Sequence, residues 1–172
     1  MRYRLDVVAP SVVEAVRAAG GWMFDRVMAG WDVRVLLDTA EDDRALQILG
    51  ADTADLESAL EIGPRGTRPH ALAVAADLYG RDARIRAGVR HALDSGQTEV
   101  TLWGESWPAD LDRSSVGSVE HRLSVAARAF KAQALAALQI QVAPVGQLGY
   151  IETFRSGTPA SCPVAADLVP AS

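Results

Sequence analysis

The sequence is short of the residues on which several common chemistries depend. One cysteine, Cys162, stands among 172 residues, so no internal disulfide can form and a multi-cysteine metal site has no ligands. Lysine occurs once, as Lys131, and asparagine not at all, while arginine, alanine, valine and aspartate are abundant. Codons for lysine and asparagine are AT-rich, so this bias points to a high-GC bacterium such as an actinobacterium. Arginine in place of lysine is then a codon effect first and a sign of bidentate anion recognition second. No apolar run approaches the length of a membrane span. The chain opens Met1-Arg2-Tyr3-Arg4-Leu5-Asp6 and passes straight into an alternating segment, without the apolar core of a secretory leader. A soluble, cytoplasmic protein with no membrane partner is expected.

What is present suits one globular domain. The composition is 49% hydrophobic and 23% charged with a net charge of −5, too apolar for intrinsic disorder. A chain of this length buries roughly 70% of the surface its unfolded form exposes, enough for a core without staples. Tyr3 to Ala9 alternates with period two and reads as a strand closed by Pro10. Ser11 and Glu14 have the spacing of a capping box, and Val12, Val16, Met23, Phe24 and Val27 continue as the stripe of a long helix. Gly20-Gly21 inside that helix costs about 1 kcal/mol per glycine against alanine and marks a kink or the close approach of another element.

Further strands are expected at Trp31–Leu37, Ala45–Gly50, Thr98–Trp103 and Tyr150–Arg155. A short helix capped by Asp52 or Thr53 carries Leu56 and Leu60, and Ile62–His70 reads as an exposed loop. Helices are expected at Ala71–Tyr79, where alternation competes with alanine content, at Asp82–Leu93, and from Ser118 to about Gln139. Strands separated by amphipathic helices predict an α/β fold: an open, largely parallel sheet of about four to five strands with helices on both faces. Residues 1–156 would carry it, and 157–172 would form a flexible C-terminal tail.

Complete catalytic motifs are missing. The lone lysine has no glycine-rich loop, so the common phosphate-binding loop is excluded. Ala9-Pro10-Ser11-Val12-Val13 stands where a dinucleotide fingerprint would follow the first strand, and Gly104-Glu105-Ser106-Trp107-Pro108 has only the first half of a nucleophile elbow. His70, His91 and His121 have neither the spacing nor the cysteine partners of a tetrahedral zinc site, so no metal and no cofactor is expected.

Three weaker constellations remain. Asp38 to Asp43 supplies carboxylates at a strand end, a Mg²⁺-type arrangement that reads more simply as a solvated turn. Arg65 and Arg68, in the loop Gly63–His70, form an anion cradle or a rigid connection. Trp103, Glu105, Ser106, Trp107 and Asp112 leave the carboxyl end of a strand, where open α/β sheets bind ligands; the plainer reading is that the tryptophans plug the sheet end. This last loop is the best ligand-binding candidate. No residue is assigned as catalytic.

Charge alternates in blocks, acidic over 38–61 and basic over 62–91, which argues against a nucleic-acid partner. The expected function is therefore a non-catalytic module binding a small ligand or a protein partner. The alternative is a small-molecule hydrolase or transferase acting on an anionic substrate at the carboxyl ends of the strands, with Glu105 or Asp112 as base and Arg65 or Arg68 on the anion. The alanine-rich helix after Ser118 offers a surface for a homodimer.

Overall fold

The computed structural model describes residues 2–63, 66–105, 108–111, 117–140, 149–157 and 167–171. The opening alternation forms strand β1 (Arg4–Ala9). Ser11 then caps helix α1 (Val12–Met28), its hydroxyl accepting from the Glu14 amide at 3.1 Å. Strand β2 (Asp32–Leu37) follows as expected, parallel to β1 in register Arg4↔Asp32 to Ala9↔Leu37.

Four expectations are corrected. The run Ala45–Gly50 is not a strand: Arg44–Ile48 is a short helix, α2, burying Ala45 and Leu46, and so short a run carries no period that could decide. The strand comes next, as β3 (Asp52–Asp55), and helix α3 (Leu56–Ile62) is capped by Asp55 rather than Asp52 or Thr53. In the stretch 71–79 the first half is strand β4 (Ala71–Ala75), followed by helix α4 (Ala76–Arg81). Its place between β1 and β5 (Glu99–Trp103) overrides the helical propensity of its alanines. Helix α5 (Ala83–Ser95) precedes β5 and ends at Gly96 in the left-handed region, as expected.

The fourth correction is the largest. Gly117–Arg122, read as the start of the longest helix, is strand β6, and only Val125–Ala137 is helix α6, capped by Ser124. Strand β7 (Ile151–Ser156) pairs antiparallel with the full length of β6 and with the end of β5. A two-residue strand, β8 (Val169–Pro170), adds to the far side of β6. The end of the stretch expected to be a flexible tail is thus paired to the sheet.

Among the described residues the sheet has eight strands in the order β3-β2-β1-β4-β5-β7-β6-β8. The first five are parallel and the remainder antiparallel, so the fold is α/β with a mixed sheet rather than a parallel one of four to five strands. Helices α1, α2 and α6 pack against one another over one face, with Leu5, Val7 and Ala9 fully buried. Helices α3 and α5 lie on the other face. Among the described residues no helix is long and apolar enough to cross a membrane.

The paired glycines of α1 serve a close approach. A Cβ on Gly21 would lie 2.2 Å from Leu123 Cδ2, whereas one on Gly20 would meet ordinary contacts at 3.4 Å and beyond. Gly21→Ala is therefore expected to destabilise by about 1–3 kcal/mol through overpacking. Gly20→Ala should be neutral or gain up to about 1 kcal/mol from helix propensity. Urea titration of both variants checks this, and equal responses would refute the contact with Leu123 as the cause.

Candidate functional site

Crossovers from β1 and from β4 leave in opposite directions along the sheet, so the strand order reverses between these two neighbours. In open α/β sheets the loops at the carboxyl ends of such strands leave a crevice for ligands. In this chain that edge is formed by Ser11 and Glu14 after β1, Asp38 to Glu41 after β2, and Gly104 and Glu105 after β5. Gly104 has φ +137, and a Cβ there would lie 3.0 Å from Ala76 Cβ, so the turn out of β5 needs glycine.

Only half of the capping box forms. Ser11 accepts from the Glu14 amide, but the Glu14 carboxylate turns outward and accepts from the Trp103 indole N–H at 3.2 Å. Glu41 satisfies a different free amide of the helix start, its Oε2 accepting from the Val12 N–H at 3.1 Å. Two carboxylates, one on the helix and one from the loop after β2, are thereby held about the first turn of α1, where the helix dipole favours negative charge. A separate polar group forms where α4 and α5 meet the loop after β5: the Tyr79 hydroxyl donates to Asp110 at 3.0 Å, and Arg90 pairs with the same carboxylate at 2.6 Å. Burial pushes the Tyr79 hydroxyl up; at Asp110 the bonds from Arg90 and Tyr79 outweigh the opposing effect of burial and hold the carboxyl below its ordinary range.

The candidates read from sequence fall into three groups. Trp103 and Glu105 are brought to the carboxyl edge: Trp103 is buried and closes the sheet end with its indole on Glu14, while Glu105 is exposed in the next turn. Arg68 is not there. It precedes β4, at the amino end of the sheet, where it bonds Gln97 and lies 3.1 Å from His91 Nε2. A site combining Arg68 with Glu105 is therefore ruled out by topology. Arg65, Ser106, Trp107 and Asp112 lie outside the described residues. Glu14 was legible only as a capping residue, because its indole partner is 89 positions away in sequence.

Among the described residues of this edge no donor set for a metal gathers. The exit of β1 reads Ala9-Pro10-Ser11, His70 and His91 lie at the amino ends, and His121 in β6 bonds Asp25 at 2.8 Å. Among the described residues no group of three His, Cys, Asp or Glu is placed to hold a metal ion.

No protein-family model matches the chain, and no curated protein matches it by sequence. Solved structures do match by fold. A pseudoaglycone deacetylase of an antimicrobial reagent superposes with a TM-score of 0.60 at 15% identity, over 91% of this chain and 97% of that one. A deacetylase of teicoplanin biosynthesis, in complex with teicoplanin, gives 0.60 at 14% identity over 98% and 99%. A conserved protein of Thermus thermophilus gives 0.55 at 17% identity over 98% of both chains. The expectation of a non-catalytic binding module is corrected by these neighbours: over nearly its whole length the chain shares the fold of proteins described as deacetylases.

Proposed function

We propose that the protein is a hydrolase of a small N-acylated substrate, acting at the carboxyl ends of β1, β2 and β5. The observation that carries this reading is the Glu14 carboxylate, held by the Trp103 indole on the first turn of α1 at the sheet's switch point. The full-length likeness to deacetylases supports the reaction class. In this scheme Glu14 takes a proton from water, and the oxygen adds to the acyl carbonyl. The tetrahedral oxyanion lies toward the amino end of α1, whose dipole opposes its charge. The C–N bond then breaks, and Glu14 returns the proton to the leaving amine. Carboxylates at the rim, from Asp38, Glu41 and Glu105, favour an amine that leaves as ammonium. Arg68 lies at the other end of the sheet, so a neutral amide fits this edge better than the anionic substrate expected from the sequence. No step is routed through a metal: among the described residues no group of three His, Cys, Asp or Glu is placed to hold one.

The test is release of acetate or a longer acyl group from a panel of N-acyl amino sugars and aryl amides. Glu14→Gln retains an acceptor for Trp103 but cannot take a proton, and is expected to lower kcat by roughly 10²–10⁴-fold. Release from no member of the panel, or release unaffected by Glu14→Gln, would overturn the proposal.

A further inference from the structure

The described residues leave the face of the sheet opposite α1 incompletely covered. Between α3 and α5 a cleft of about 680 Å³ runs along β1, β2 and β4, a volume within the range of small-molecule sites. Its floor is Val8, Leu36, Leu72 and Val74. Leu56 and Leu60 of α3 form one wall, Ile85 and Val89 of α5 the other. Strand residues four apart, such as Arg4 and Val8, are separated by roughly 13 Å along the sheet, so the cleft is long as well as apolar.

Its amino end is cationic. Asp6 is buried and accepts from Arg34 at 3.2 and 2.9 Å, with Arg4 Nε also 3.2 Å away. Arg4 Nε is itself buried without an acceptor in hydrogen-bond geometry, and Arg4 Nη2 donates to the Thr67 carbonyl. Among the described residues Arg68 bonds Gln97 at 3.3 Å and lies 3.1 Å from the His91 ring, with no carboxylate partner. Three guanidinium groups thus face one carboxylate. At the other end Arg84 is neutralised by Glu57 and Asp82. The polarity of the cleft therefore runs from cation-rich at one mouth to apolar along its length.

A glycine keeps it open. Gly88 lies in the middle of α5, where it costs about 1 kcal/mol against alanine, and a Cβ there would meet nothing within 4 Å. No packing contact requires glycine at this position, and its side-chain space is part of the cleft.

We infer that this cleft binds a linear alkyl carboxylate, with its head between Arg4, Arg34 and Arg68 and its chain beneath α3 and α5. The site is distinct from the carboxyl edge and does not rest on the hydrolase reading. The probe is dodecanoate below its micellar concentration, titrated into the full chain and followed by calorimetry. Saturable one-to-one binding is expected, weakening about fourfold for each methylene removed through decanoate to octanoate. Arg68→Ala should weaken it by tenfold or more. Gly88→Leu should abolish it while preserving the helix signal and thermal midpoint, since the new side chain occupies open space. No saturable binding, equal affinity for dodecylamine, or binding that survives both substitutions overturns the inference, and none of these outcomes bears on acyl release at the carboxyl edge.

Discussion

Replacing Lys131 by methionine is expected to destabilise the protein by about 3–5 kcal/mol, the usual cost of leaving a buried partner charge alone. The lone lysine of the chain is buried on α6, against Glu152 of β7, at 2.7 Å. Lys131 also donates to the Arg17 carbonyl at 2.7 Å, and Glu152 accepts from the Gly21 and Trp22 amides at 2.9 and 2.6 Å. Arg17 carbonyl and Gly21 amide are the regular i, i+4 partners of a helix. The ion pair therefore spans the same two backbone groups and ties α1 to α6 and β7 at its glycine pair. Burial pushes the Glu152 carboxyl above its ordinary range, while Lys131 and the two amides pull against that push. Without Lys131 the upward push is unopposed by a cation. A carboxyl raised in the folded state binds its proton more readily there than in the unfolded chain, so its stability contribution is full at low pH and is lost as pH rises through the folded value. The deficit of Lys131→Met should accordingly be larger at pH 8 than at pH 5. In the double variant with Glu152→Met the helix can close its own bond, and the loss should fall well short of the sum of the singles. Chemical unfolding of the four proteins at both pH values gives the answer, and a pH-independent, additive pattern would contradict it.

This interaction shows where sequence reading stops. The glycine pair in α1 was legible as a local anomaly, because two glycines in an amphipathic stripe break a rule that is local. Its cause was not, since Lys131 and Glu152 lie more than a hundred residues further on and each is merely a charged residue in an otherwise ordinary segment. The elements read correctly, β1, α1, β2, α5, β5 and β7, are those with a full period or a cap of their own. Those misread depend on partners. Gly117–Arg122 became a strand because β7 pairs with all six of its residues, and Ala71–Ala75 because β1 and β5 flank it. Of the proposed site, the place of the loop after β5 at the carboxyl edge was legible from the sequence. The charged residues Arg4, Asp6 and Arg34 were the overlooked signal. Alternating charges in strands of a parallel sheet, which is normally apolar on both faces, mark a face that a helix layer leaves open.

Removal of the Arg26 side chain should be as damaging, by about 3–5 kcal/mol, and its effects should reach the end of the chain. Arg26 is buried near the end of α1, its guanidinium carbon 4.7 Å from the ring of Trp22 and 4.1 Å from that of Trp31. It bonds Glu99 at 2.9 Å and Asp167 in a fork at 2.7 Å on both nitrogens. Burial raises the Glu99 carboxyl and Arg26 lowers it, with burial prevailing. Arg26→Met would leave Glu99 buried without a cation, so this deficit too should be relieved as pH falls toward the Glu99 titration and deepen as pH rises. Arg26→Met with Glu99→Met exchanges the pair for apolar volume and should recover most of the loss, as buried pairs replaced together commonly do. Asp167, by contrast, keeps the Trp22 indole N–H at 3.0 Å but loses both guanidinium bonds. The strand it precedes is held by two residue pairs with β6 and by the Ala171 amide on the Ser118 carbonyl. In the double variant stability returns but Asp167 keeps only the Trp22 indole and the 3.0 Å contact of its carbonyl with the His121 ring, so hydrogen exchange at Ala171 should stay faster than in the parent while the amides of β1 and β4 regain protection. Protection of Ala171 in that variant would mean that β8 is held by its strand pairing alone, and Arg26 would then be a core residue with no part in fastening the C-terminal segment.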